Sequence, residues 1–360
     1  MGNEESTLAH QSGMTAGGVR VGAHTSMPVD TVPYAGSQQQ YLYINVEALM
    51  SQQMTFSSAQ VVTTNVDAYY QYISQQYAQG FVMNQFQAVP GVMKQKGFSM
   101  SVAVPFQAIL SKPLGPPTHE RWQLRIEKSF LQTQRVLQFF TSTSQVVSDT
   151  TDIYQKINGV AAQGGRLICI EITGHEQGAN FSQAWSGYQG VKGVDLFFNM
   201  PLHPNPTIYS YQAISVPIHF KTIAAFPQPR IQVMTDFMSQ FTGYLRQGWK
   251  LVEINFDCSK TTQPDFFSTN SSMNSIWFFE KESHKMNSQI PEWEGTIVEY
   301  EHKVSQTFTG TKAKTNWDPI ITEMGHRGWE LACLVESPET RVEGFSSIIM
   351  KVMMFFQRPI

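Results

Sequence analysis

The chain has 360 residues, 41% hydrophobic and 12% aromatic, which is enough apolar mass for two ordinary domains, each with its own core. Charged residues are 15% and the net charge is -3. An average soluble domain is about 25% charged, so Ser, Thr, Gln and Asn supply much of this surface, and with no basic stripe to hold a phosphate backbone nucleic acid is excluded as a main partner. Cys169, Cys258 and Cys333 lack CxxC spacing, so neither a disulfide framework nor a cysteine zinc site is expected, and the compartment is read as reducing.

Residues 1–40 are rich in Gly, Ser, Thr and Gln without an apolar period and read as a disordered tether. They contain no signal-peptide core, and no stretch of the chain approaches 18 uninterrupted apolar residues, so neither secretion nor a spanning helix is expected. The sequons at Asn180 and Asn270 are then chance matches. "GGVRVGAH" (17–24) has phosphate-loop glycine spacing but lacks Lys-Ser/Thr and a preceding strand.

From residue 41 onward the chain repeats a pattern. A helical stretch closed by Gly and followed by a strand occurs at 72–86, 157–172, 238–256 and 321–336, with turn glycines Gly80, Gly164, Gly248 and Gly328 at intervals of 84, 84 and 80 residues. Apolar residues precede each turn at helical spacing, for example Val66, Tyr70, Ile73 and Met234, Phe237, Phe241, Leu245. Asn65, Asp149, Thr235 and Asn316 are candidate caps, and Pro319 suits a first turn. Each glycine suits the left-handed position after a helix, and Phe81, Trp249 or Trp329 behind it can pack over the last turn; the second segment has Gly165 there.

Strands frame each helix: 41–47, 122–130, 214–221 and 296–304 before it, and 102–112, 194–200, 276–281 and 348–357 at the end of each segment. The strand directly after each glycine changes phase, as in Trp249, Leu251, Val252 and Ile254, which predicts a bulge or a strand buried on both faces. The fold is thus read as α+β: four β-α-β-β repeat units in two related domains, 41–210 and 211–360, with mainly antiparallel sheets and helices packed on one face. The boundary is placed near Pro204–Tyr211. Residues 257–274 read as a long Ser/Thr/Asn-rich connection with Phe266 and Phe267 at its middle, a candidate docking loop.

A catalytic search finds no residue to nominate. The nine histidines are scattered, no HExxH or GxSxG occurs, and no metal or cofactor is indicated. Cys169 and Cys333 stand five residues after their turn glycines and read as buried small side chains. Glu299, Glu301 and His302 alternate with Val298 and Tyr300 along one strand; such a face could do acid–base work but reads as wet surface.

The order of units, the "FQAILSK" strand (106–112), the "GWELACLVE" turn (328–336) and the closing "FFQRP" (355–359) resemble the raftlins, lipid-raft proteins of the cytoplasmic leaflet. The resemblance runs from about residue 40 to the C-terminus. It implies membrane attachment by N-terminal acylation and a role in receptor signalling and trafficking rather than catalysis. "MGNEES" fits the myristoylation pattern through Gly2 and Ser6. Raftlins carry a cysteine directly after the acylated glycine, whereas this chain has Asn3, and the polar insert of raftlins is missing. Among residues 1–40 Arg20 is the one Lys or Arg, facing Glu4, Glu5 and Asp30, so anionic lipid adds little.

The expectation is therefore a non-enzymatic, myristoylated scaffold or adaptor at the cytoplasmic face of the plasma membrane or other membranes, with a cytosolic pool. Its partners would be membrane lipid and unidentified proteins. A soluble interaction protein without an anchor is the second reading. A ligand-binding protein or enzyme using a cleft between the two domains is the third.

Overall fold

In the computed structural model, residues 19–21, 25–27, 34–54, 60–95, 101–115, 120–138, 143–178, 188–203, 206–223, 230–264, 268–313, 316–344 and 346–360 are described. A small hairpin pairs β1 (Val19–Val21) with β2 (Thr25–Met27). The remaining seventeen strands form one antiparallel sheet.

The first segment comprises β3 (Gln38–Met54), β4 (Gln60–Thr64), a helical stretch around α1 (Tyr70–Gln75), β5 (Val82–Ala88), β6 (Lys94–Gln95) and β7 (Ser101–Leu114). The second runs β8 (Trp122–Gln138), β9 (Thr143–Asp149), α2 (Thr151–Ala161), β10 (Arg166–Gly178) and β11 (Tyr188–Pro201). The third runs β12 (Tyr209–Ile223), β13 (Arg230–Val233), α3 (Phe237–Leu245), β14 (Lys250–Pro264) and β15 (Ser268–Glu282). The fourth runs β16 (Trp293–Thr307), β17 (Gly310–Ala313), α4 (Asp318–His326), β18 (Glu330–Glu343) and β19 (Ser347–Pro359).

Within each segment the last strand is flanked by the first strand and by the strand after the helix, giving β3–β7–β5, β8–β11–β10, β12–β15–β14 and β16–β19–β18. Short strands then reach across to neighbouring segments, in the pairs β4–β10, β9–β14, β13–β18 and β17–β6. Followed strand by strand, these pairings return to their starting point, so the sheet closes on itself. Closure pairs the edges at the four segment boundaries, which would otherwise invite aggregation. The halves 41–210 and 211–360 meet through β9–β14 and β17–β6.

Four apolar clusters fill this frame, and each draws on two successive segments. Phe86, Phe106 and Ile73 pack with Cys169 and Phe197; Ile153, Ile157 and Leu196 with Val252 and Phe278; Phe241, Trp249 and Trp277 with Cys333 and Phe355; and Trp317, Ile321 and Trp329 with Tyr41 and Ile109. Burying such side chains is the main favourable term of the fold. The apolar stripe of each helix faces its cluster, as the 3.6-residue period requires.

Several local expectations are corrected. The first helix has one α-helical turn between two 3₁₀ turns, Val66–Tyr69 and Gln76–Gln79. Asn65 accepts from the backbone of Leu49 at 2.7 Å rather than capping the helix. Asp236, not Thr235, caps α3 by accepting from Ser239 N at 3.0 Å, while Thr235 Oγ1 accepts from His219 N. Trp317 rather than Asn316 precedes α4, with Pro319 in its first turn. The tether ends before residue 40: β3 starts at Gln38, and the guanidinium of Arg358 lies 4.5 Å over the Tyr34 ring. The connection expected at 257–274 is mostly the extended β14–β15 hairpin, whose polar sequence offers no apolar period by which to recognise the strands; Phe266 and Phe267 lie outside the described residues.

Candidate functional site

The turn glycines all have positive φ: +81° at Gly80, +84° at Gly164, +78° at Gly248 and +79° at Gly328. In the last three turns the next residue donates back to the helix, from Gly165 to Val160 O, Trp249 to Tyr244 O and Trp329 to Met324 O, the hydrogen bond that ends a helix in a left-handed residue. Trp249 and Trp329 are 8% and 4% exposed. At Gly165 a Cβ would fall 2.4 Å from Val160 Cγ1 and 2.5 Å from Met200 Sδ, so the site has no room for the aromatic found elsewhere.

Two residues past each glycine stand Val82, Arg166, Lys250 and Glu330. Their cross-strand partners are Ser111, Asn199, Glu280 and Gln357. These eight residues line a single cavity of about 220 Å³. Its charged side is a chain of ion pairs between segments. Arg166 pairs with Glu280, its Nε lying 3.3 Å from Oε2. Lys250 Nζ reaches both carboxylate oxygens of Glu330, at 2.8 and 2.9 Å. Aromatic faces support both cations: Arg166 lies 4.4 Å over the Tyr209 ring and Lys250 4.9 Å over Trp293. The opposite side is uncharged, formed by Val82, Asn84, Ser111 and Gln39.

Below the cavity every strand that follows a helix carries a β-bulge at the same offset, the register shifting between Met83 and Gln85, Leu167 and Cys169, Leu251 and Glu253, and Leu331 and Cys333. The predicted phase change is therefore a bulge, one extra residue that re-aims the side chains beyond it. Each bulge leaves a backbone N–H for a side chain to satisfy. Tyr77 Oη accepts from Met83 at 3.2 Å, Tyr211 Oη from Leu167 at 2.8 Å, Gln357 Oε1 from Leu251 at 3.0 Å, and Tyr41 Oη from Leu331 at 2.8 Å.

Past the bulges Gln85, Cys169, Glu253 and Cys333 are all buried. Burial lifts the Glu253 carboxyl to about 8, opposed by hydrogen bonds from Ile254 N, Ile170 N and the Gln85 side chain. Glu171 is pushed to about 8 by the same cause, opposed by the Ala88 N–H and reinforced by the charge of Glu253. Both thiols are raised well above their usual range, by burial first and by Glu253 next. A thiol held protonated is a poor nucleophile, in keeping with Cys169 and Cys333 as core residues.

The strand face considered for acid–base work is split. His302 is fully buried, lies tilted against Trp317 with ring centroids 5.5 Å apart, and bonds Pro90 O at 3.0 Å, whereas Glu299 pairs with Lys351 at 3.2 Å and Glu301 with Arg341 at 2.7 Å. Strand alternation puts the two carboxylates on the face away from the imidazole. Among the described residues no group of His, Cys, Asp and Glu could hold a metal ion, and no helix is long and apolar enough to cross a membrane. Gly2, Asn3 and Ser6 lie outside the described residues. The cavity residues were visible in sequence as Gly+2 positions, but their convergence was not.

No model of a known protein family matches the chain, and no solved structure matches it. Three curated proteins do: chicken raftlin (Gallus gallus), 21% identical over 162 residues; human raftlin (Homo sapiens), 20% over 170; and mouse raftlin (Mus musculus), 21% over 167. The matches cover 45–47% of this chain and 25–27% of each relative, so the chain spans about a quarter of the length of the raftlins it matches. At this identity and in this stretch, the chain is a distant relative of the raftlins.

Proposed function

We propose that the protein is a non-enzymatic, raftlin-like peripheral-membrane scaffold or trafficking and signalling adaptor, N-myristoylated at Gly2. The observation that carries this reading is the coincidence of raftlin similarity with "MGNEES", whose Gly2 and Ser6 suit the acyl-transfer pattern. A single myristoyl chain binds bilayers with K of about 10⁴ M⁻¹, and firm anchoring needs a second signal. Asn3 offers no palmitoylation site and residues 1–40 no basic patch. Attachment is accordingly weak, with one pool at the cytoplasmic leaflet and another in the cytosol, and the partners are membrane lipid and proteins of the signalling or trafficking machinery.

The folded body is read as four β-α-β-β units in two related domains, 41–210 and 211–360, closed into one frame. The matching strand order in each segment and the common bulge offset support this organisation.

Cells expressing the wild type and Gly2→Ala, labelled with a myristate analogue and fractionated, test the anchor. The wild type should take up label and divide between membrane and cytosol, Gly2→Ala should be cytosolic and unlabelled, and Asn3→Cys should bind firmly. A wild type that takes up no label and stays wholly soluble would favour the second reading, a soluble interaction protein, to which Asn3, Glu4 and Glu5 already point.

A further inference from the structure

We infer that the end of the frame opposite the cavity seats on a lipid bilayer through the aromatic residues of its hairpin connections. Eight hairpins close at that end: β3–β4, β6–β7, β8–β9, β10–β11, β12–β13, β14–β15, β16–β17 and β18–β19. Within each segment their described strands are level, since Ser51 pairs with Ser101, Gln134 with Tyr188, Ile223 with Ser268 and Ser305 with Ser347. The pairs that join segments, such as Val61 with Gln177 and Lys94 with Gly310, lie at the same end, so the eight stand in one ring.

The sequence puts Phe into every one of these connections. They read "TFSSA" (55–59), "KGFSM" (96–100), "FFTS" (139–142), "ANFSQAWSG" (179–187), "AAFPQP" (224–229), "DFF" (265–267), "FT" (308–309) and "GFS" (344–346). Ten of the chain's 24 phenylalanines thus fall within about a tenth of its length, and in all but "AAFPQP" Ser or Thr follows a Phe directly. Lys96 and Asp265 are the charged residues among them. The connections at the cavity end, 115–121, 202–208 and 283–292, contain no Phe. Core packing does not explain the difference: Phe308, the one of these aromatics among the described residues, is fully exposed. Met93, whose carbonyl accepts from Thr311 N at 2.7 Å, and Ile348 are also exposed.

Aromatics spaced around a ring, each beside a hydroxyl and above strand ends of polar sequence such as 258–264, do not make the contiguous apolar patch of a protein–protein interface. They suit the boundary layer of a bilayer, where apolar groups sink about 5–10 Å and polar ones stay among the headgroups. Many turns meet a plane at once, and the near absence of charge spares the cost of desolvating ions and makes anionic lipid unnecessary. The contact does not depend on the proposed acyl group, and it supplies the second signal that one myristoyl chain lacks. Tyr34 lies at the cavity end, against Arg358. Residues 2–33 can extend to about 110 Å, beyond the roughly 56 Å length of the seventeen-residue β3, so both contacts can reach one bilayer.

The test is cosedimentation of the full Gly2→Ala chain, which cannot be acylated, with phosphatidylcholine vesicles. It should bind them, equally at low and high salt and with or without phosphatidylserine. Phe308→Ser should weaken partition about threefold to tenfold, the scale of burying part of one ring, and the triple change Phe266→Ser, Phe267→Ser, Phe308→Ser should abolish it with the melting temperature unmoved. Leu202→Ser, at an exposed apolar position of the cavity end, should leave it unchanged. Absence of vesicle binding, full binding by the triple variant, or self-association without lipid that the triple variant loses would overturn the inference. Because no acyl chain is present, such a failure leaves the Gly2 reading to its own labelling test.

Discussion

Gln357 and Leu251 exchange two hydrogen bonds across a bulge: Leu251 N–H donates to Gln357 Oε1 at 3.0 Å, and Gln357 Nε2 donates to Leu251 O at 2.7 Å. Thus a side chain of β19 completes the backbone of β14, 106 residues away, just where the ladder is broken. Tyr41, Tyr77 and Tyr211 serve the other three bulges through a single hydroxyl.

The first prediction concerns these side chains. Tyr41→Phe and Tyr211→Phe should each cost about 1–2 kcal/mol, because a buried N–H loses its acceptor. Gln357→Leu should cost more, since it abandons a donor and an acceptor together. Urea unfolding of the three variants measures the order, and equal stability of Gln357→Leu and wild type would refute it.

The turn glycines should not be equally sensitive. A Cβ at Gly80 meets nothing within 4 Å, so Gly80→Ala incurs only the left-handed penalty, about 1–2 kcal/mol. At Gly248 the added carbon would lie 2.8 Å from Ile290 O, and at Gly328 it would lie 2.1 Å from the Tyr34 ring. Gly248→Ala and Gly328→Ala should therefore lose more, and the corresponding valines more still. Melting temperatures ranked Gly80→Ala above both others would bear this out.

Trp249 and Trp329 are both buried under a cation, Lys281 at 5.7 Å and Arg358 at 4.1 Å from the respective rings. Truncation of either to Ala should cost about 3–5 kcal/mol through the cavity left behind. Denaturation curves should show the loss, and acrylamide should quench these indoles only after unfolding.

Glu253 makes stability depend on pH. Its carboxyl rises from an ordinary 4.5 to about 8 on folding, chiefly by burial, so the folded state prefers the protonated form. The resulting stabilisation is complete below about pH 4.5 and is lost as pH rises through about 8. Glu171, raised to the same value but less enclosed, acts in the same direction. The advantage of the wild type over Glu253→Gln should thus shrink from pH 5 to pH 9. A melting-temperature difference that stays constant over that range would rule out the buried acid.

What the sequence determined by itself was local. The glycines at 80, 164, 248 and 328 could be placed because a left-handed residue after a helix suits glycine above others, and helical spacing of Phe237, Phe241 and Leu245 marked a buried stripe. The bulge left a readable trace, a phase change in the apolar pattern. Asn65 and Thr235 failed as caps because their side chains found tertiary backbone partners, which no local pattern discloses. The stretch 258–264 was expected as a loop because its Ser, Lys, Thr and Gln residues carry no apolar period, while its ladder is made by backbone groups. The tertiary structure alone decided closure, since the pairs β4–β10, β9–β14, β13–β18 and β17–β6 are made by backbone groups common to nearly every residue. Closure in turn brought Arg166 to Glu280 and Lys250 to Glu330: each is unremarkable on its own strand, and their chemistry exists only because the segments meet around one cavity.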